Sequence, residues 1–115
     1  MTPNKEDYLK CIYEIGTEMQ KITNKEIAAR MQVSPPAVTE MIKRMKSENL
    51  ILKDKENGYL LTDIGLKLVS ELYRKHRLIE VFLVHHLDYT SDQIHEEAEV
   101  LEHTVSDLFV ERLDK

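Results

Sequence analysis

The chain has 115 residues but one cysteine, three glycines and three prolines. A single cysteine, Cys11, excludes an intrachain disulfide framework and points to a reducing compartment. So little glycine and proline argues against disorder and against an all-β architecture. No apolar run is long enough to span a bilayer, and no signal-peptide pattern is present, so a cytoplasmic location is the default expectation. Gly-rich phosphate loops, nucleophile elbows and HExxH motifs are missing too. A carboxylate-bridged metal hydrolase or oxidase would need two matching Glu and Glu-x-x-His sets on a four-helix bundle. The run Glu99-Val100-Leu101-Glu102-His103 does not supply that pattern twice. These omissions argue against an enzyme, and no small organic substrate is expected.

What is present is 42% apolar residues, enough for one compact domain or one domain with a dimerising extension. The net charge of −5 is unevenly distributed. Through Leu60 there are 10 basic and 9 acidic residues; from Leu61 onward there are 6 basic and 12 acidic. The first half can therefore approach phosphates, while the acidic excess sits beside the histidines. A bound cation would offset part of that excess.

Hydrophobic spacing and caps predict a mainly α chain. Asn4 caps a first helix, with Asp7 as its capping-box partner and Tyr8, Ile12, Ile15 and Met19 as its apolar stripe. Thr23-Asn24-Lys25-Glu26 reads as a capping box opening a short helix through Met31, with Ile27, Ala28 and Met31 facing a core. After a tight turn at Val33 and Ser34, Ser34 caps a third helix with Pro35 at its first position. Val38, Met41, Ile42 and Met45 form its buried stripe, and Asn49 ends it. Ile51–Lys53 and Tyr59–Leu61 read as two strands joined at Asn57-Gly58. Thr62 caps a long helix to about Leu87, with Val69, Leu72, Tyr73, Ile79 and Leu83 as its stripe. Thr90 or Ser91 caps one last helix running towards the chain end, its apolar side formed by Ile94, Ala98, Leu101, Val105 and Leu108.

The order of short helix, turn, helix and hairpin is that of a winged helix-turn-helix, whose second helix can enter the major groove of double-stranded DNA. Ser34, Pro36, Ala37, Thr39 and Glu40 then meet base edges: Pro36 and Ala37 suit thymine methyls, and Glu40 can accept from a cytosine amine. Lys43, Arg44 and Lys46 on the same helix, and Lys53 and Lys55 on the hairpin, suit phosphates. The bland alternative is a three-helix packing unit with a solvated charged face.

In the second half, His76 and Glu80 stand one helical turn apart within an apolar stripe. A glutamate there is costly unless paired or coordinated. His95, Glu99, Glu102 and His103 follow at i, i+4, i+7 and i+8, spacing that puts all four on one helical face. The alternatives are a His–Glu hydrogen bond in the core and a solvated acidic helix. Carboxylate and imidazole donors without thiolate favour Mn²⁺ or Fe²⁺ over a Cys-based zinc site. Cys11 reads as a small core residue.

Five segments carry a family resemblance: NKEDYLKCIYEI from Asn4, VSPPAVTEMIKRM from Val33, GYLLTDIG from Gly58, RKHRLIE from Arg74 and HEEAEVLEHTVSD from His95. The whole chain resembles the diphtheria-toxin-repressor family of metal-dependent transcription regulators, and within it the streptococcal-type manganese transport regulators. The resemblance implies a homodimer that binds a palindromic operator when loaded with metal and represses metal-uptake genes. It implies one ligand group at Asp7, Glu99, Glu102 and His103, and another at His76, Glu80 and His95. In the branch with a binuclear centre, His76 would join the first group. Two departures stand out. Binuclear manganese regulators carry a Glu where this chain has Lys10, and iron-responsive members carry a Cys where it has Glu99.

The expected organisation is a winged helix-turn-helix domain over residues 1–62 and a helical metal-binding and dimerisation domain over 63–115, without the SH3-like domain of longer relatives. Leu101, Val105, Leu108 and Phe109 are the expected dimer contacts, burial within one subunit being the alternative. The alternatives in function are a winged-helix regulator with a non-metal effector and an Fe²⁺-responsive regulator.

Overall fold

The computed structural model describes residues 4–115. The elements are α1 (Lys5–Glu18), α2 (Asn24–Met31), α3 (Pro35–Ser47), β1 (Ile51–Asp54), β2 (Gly58–Leu61), α4 (Asp63–Leu87), α5 (Ser91–Glu102) and α6 (Asp107–Leu113). They form two compact units, the first ending at Val69 and the second starting at Ser70. Among the described residues, no helix is long and apolar enough to cross a membrane.

In the first unit, each helix starts where a side-chain oxygen can accept an orphan N–H. Asn4 and Asp7 form a reciprocal box: Asp7 N–H donates to Asn4 Oδ1 at 3.0 Å, and Asn4 N–H to Asp7 Oδ2 at 3.1 Å. Ser34 Oγ accepts from Ala37 N–H at 3.3 Å, with Pro35 opening α3. Such caps contribute about 1 kcal/mol each. At α2 only half of the expected box forms. Thr23 Oγ1 accepts from Glu26 N–H at 3.2 Å, but the Glu26 carboxylate reaches forward to Arg30 Nε at 3.0 Å. The guanidinium, which also pairs with Glu18 at 2.5 Å, competes successfully for that carboxylate.

The three helices pack around Leu9, Ile12, Ile15, Ile27, Val38, Ile42 and Met45, with Leu50, Ile51 and Tyr59 of the hairpin region closing the core. Met19, expected in the α1 stripe, is 46% exposed, because α1 stops at Glu18 and Met19 adopts an extended conformation. β1 and β2 pair antiparallel, with Ile51 opposite Leu61 and Asp54 opposite Gly58. The loop between them is Lys55–Asn57, and Asp54 Oδ2 gathers it by accepting from the N–H groups of Glu56 and Asn57 at 3.1 and 2.8 Å. Gly58 takes φ +82°, and a Cβ there would fall 2.1 Å from the Ile22 carbonyl oxygen. Thr62 Oγ1 accepts from Gly65 N–H at 3.0 Å and so starts α4.

In the second unit, Ile79, Leu83 and Ala98 form a smaller core flanked by Phe82, Tyr89, Leu101, Val105 and Leu113. Tyr73, expected in the α4 stripe, is 36% exposed. Asp88 turns the chain at φ +56°, and Thr90 N–H donates to Gln93 Oε1 at 3.1 Å where α5 begins. The single last helix expected from the sequence is two helices. α5 ends at Glu102, His103 is its C-cap, and Ser106 starts α6 by accepting from Phe109 N–H at 3.1 Å. A serine followed by Asp107 is itself a helix start, and that local preference overrides the apolar period running through it.

Candidate metal centre and nucleic-acid interface

The centre of the second unit is His76, on α4. Its half-buried ring sits between two carboxylates. Nδ1 lies 2.5 Å from Glu102 Oε2, and Nε2 lies 3.4 Å from Glu80 Oε2. Glu102 is 2% exposed, and His103 Nε2 stands 3.8 Å from its other oxygen. A carboxylate out of water is costly unless partnered, and here two imidazoles converge on it. The His95 ring meets the His76 ring edge-on with centroids 5.5 Å apart. His76, Glu80 and His95 each offer one donor atom, all within 4.8 Å of one another. Three donors on one divalent cation at about 2.0–2.2 Å average at most about 3.8 Å apart, so side-chain rotation would have to draw the set closer by up to about an ångström. Two imidazoles and a carboxylate, one imidazole fixed through its second nitrogen by a buried carboxylate, have the chemistry that holds such ions.

The four residues expected to share one face of α5, His95, Glu99, Glu102 and His103, differ in exposure and in partner. Glu102 is buried against His76, whereas Glu99 is exposed and lies 3.3 Å from His95 Nε2. His103 is the C-cap of α5 and keeps a right-handed helical backbone. So Glu102 and His95 both meet His76 from α5, Glu102 buried and His95 exposed beside Glu99. Asp7 belongs to the first unit, where its carboxylate closes the α1 capping box.

Of the expected dimer contacts, Leu101 and Val105 pack against the second unit's own core, while Leu108 and Phe109 are 57% and 39% exposed on α6. The Phe109 ring stacks edge-on to Phe82 at 6.4 Å.

In the first unit, Ser34, Pro36, Thr39 and Glu40 are exposed at the start of α3, with Ala37 half-buried. Two hydroxyls there are already engaged: Ser34 caps the helix, and Thr39 Oγ1 donates to Pro35 O at 3.1 Å. Lys43 and Lys46 of α3 and Lys53 of β1 line one groove of about 330 Å³. Arg44 turns instead to Glu48, its Nε 3.4 Å from Oε2, and Lys55 sits in the hairpin loop. Lys5, hydrogen-bonded to Glu48 at 2.5 Å, holds that carboxyl below the usual carboxylate range, with Arg44 adding to the effect. Two groove residues, Asn24 and Tyr59, escaped the sequence reading because one passed as the first residue of a helix and the other as a strand residue. Burial pushes the Cys11 thiol up to about 11, in keeping with a core position.

Comparison with known proteins matches both halves. Residues 1–59 fit the model of the iron dependent repressor N-terminal DNA binding domain. Residues 62–115 fit that of the iron dependent repressor metal binding and dimerisation domain. The structure of ScaR with bound Zn²⁺ superposes with a TM-score of 0.92 at 78% identity, over 97% of this chain and 52% of that one. The manganese regulator SloR gives 0.82 at 69% identity, over 99% of this chain and 53% of that one. The diphtheria toxin repressor of Corynebacterium diphtheriae is 33% identical over 110 residues, which are 96% of this chain and 49% of that protein. The chain thus spans about half the length of each of these three relatives. With both of its halves matched in order, the chain belongs to the iron-dependent repressor family.

Proposed function

We propose that this chain is a manganese-responsive, DNA-binding transcriptional repressor that works as a homodimer in the cytoplasm and carries out no catalysis. Residues 1–62 would read a palindromic operator, and residues 63–115 would hold metal and dimerise. The observation that carries the reading is the His76, Glu80 and His95 donor set, with His76 oriented by buried Glu102, in a chain whose other unit is a winged helix-turn-helix. SloR is described as a manganese regulator, and Glu99 stands where iron-responsive members carry cysteine, which favours Mn²⁺ over Fe²⁺.

The residues divide the work as follows. His76 offers Nε2 towards Glu80 while Nδ1 is held by Glu102, which fixes the ring's orientation. His95 completes that group. Glu99, Glu102 and His103 are the second ligand group of the reading within residues 63–115. When bound, a divalent cation supplies positive charge that offsets the mutual repulsion of these carboxylates and favours one arrangement of the chain over another. At the start of α3, Pro36, Ala37 and Glu40 present the contacts that discriminate bases, while the lysines engage phosphates. Leu108 and Phe109, apolar and exposed on α6, are the contacts proposed for the partner subunit.

A gel-shift series with the protein's own upstream region tests this. Mn²⁺ should produce a retarded complex that a chelator dissolves. Binding indifferent to both would replace the reading with that of a regulator governed by a non-metal effector.

A further inference from the structure

The hairpin is latched to the start of α2 at three points. Ile22 N–H donates to Asn57 O at 2.9 Å. Gly58 lies so close to the Ile22 carbonyl that no side chain fits between them. The Tyr59 hydroxyl donates to Asn24 Oδ1 at 2.6 Å, and Tyr59 is itself buried. Two residues of the latch, Asn24 and Tyr59, line a groove together with Thr39, Ile42, Lys43 and Lys46 of α3 and Lys53 of β1.

That groove is unusual in its charge. It is lined by three lysines and no carboxylate. Among the described residues, Lys43, Lys46 and Lys53 have no ion-pair partner, whereas Lys5, Arg30 and Arg44 of the same unit each sit on a glutamate. Because Tyr59 holds the Asn24 carbonyl oxygen, the Asn24 amide nitrogen keeps its two hydrogens for another acceptor, and no described residue supplies one. Three lysines and one amide donor lining one groove suit a tetrahedral oxyanion.

We propose that this groove seats a single phosphate of the DNA backbone, with Asn24 Nδ2 and the three lysines as its donors and Tyr59 as the residue that positions Asn24. The proposal rests on the DNA-binding reading and adds two uncharged residues to it. It also makes the hairpin a fixed wall that sets where the backbone lies against α3. Phosphate contacts carry no base information, so loss of this seat should weaken all sequences alike.

The test is fluorescence anisotropy with a labelled duplex of random sequence, about 30 base pairs long, titrated across a range of salt. Asn24→Asp keeps an acceptor for Tyr59 but puts a negative charge in the seat. Its affinity should fall at least about tenfold and its salt slope by about one. Tyr59→Phe should weaken binding by about two- to fivefold while leaving the slope unchanged, since no charge is lost. Lys46→Ala with Lys53→Ala, both at exposed positions, should lower the slope by about one, the share of the one phosphate seated here. Asn24→Asp binding as wild type overturns the seat, as does an unchanged slope in the double lysine variant. If wild type itself fails to bind at low salt, the DNA-binding reading falls along with it.

Discussion

Nδ1 of His76 lies 2.5 Å from Oε2 of Glu102, joining α4 to a carboxylate of α5 that is only 2% exposed. The contact orients one imidazole nitrogen by holding the other. It makes Glu102 the support of the His76, Glu80 and His95 donor set as well as a member of the ligand group suggested by family resemblance.

Glu102→Ala should therefore weaken Mn²⁺ binding by about 10–100-fold, the usual cost of losing the group that orients a ligating histidine. Metal-dependent retention of operator DNA should fall with it. Calorimetry giving wild-type affinity in the variant would remove Glu102 from the site.

The exposed pair on α6 predicts a separable dimer defect. Leu108→Glu with Phe109→Glu should shift sedimentation towards monomer while the helical circular dichroism of the subunit is kept. Val105→Glu should instead destabilise the subunit by several kcal/mol, because Val105 packs against the second core. A double variant that sediments as wild type would refute the proposed interface.

Arg44 is exposed and shares Glu48 with Lys5. Arg44→Ala should weaken binding to every duplex alike and lower the salt slope by about one, with no change in sequence preference. A changed preference would mean that α3 docks in a different orientation from the one argued above.

Gly58→Ala tests the hairpin latch through stability. The backbone there is at φ +82°, and the new Cβ would fall 2.1 Å from the Ile22 carbonyl oxygen. The loss should exceed about 1 kcal/mol in urea denaturation. A variant as stable as wild type would mean the hairpin lies elsewhere.

Cys11 should resist alkylation near neutral pH, since burial raises its thiol from an ordinary value of 9.0 to about 11. The folded state then holds the proton more tightly than the unfolded chain. This contribution to stability is complete below pH 9 and is lost as pH rises from about 9 to about 11. Rapid modification of the native protein at pH 8 would contradict the burial.

Much of the fold was legible because its signals are local. Asn4, Thr23, Ser34 and Thr62 each mark a helix start, and Pro35 and Gly58 sit where their backbone geometry is required. The break at His103–Ser106 was harder to see. The apolar positions Leu101, Val105 and Leu108 keep helical spacing across it, so periodicity hides a cap that Ser106 and Asp107 announce only weakly. Asn24 and Tyr59 were not legible at all as a pair, being 35 residues apart with nothing local to connect them.

The sequence alone determined the order of elements, the winged helix-turn-helix, the charge asymmetry and the residue types able to ligate a metal, because caps, periods and composition act over a few neighbouring residues. Tertiary structure decided how those ligand types were partnered. It buried Glu102 against His76, left Glu99 outside with His95, and set Lys43, Lys46 and Lys53 along the same groove as Asn24. Helical spacing says which side chains share a face, but only packing between elements decides which part of that face loses its water.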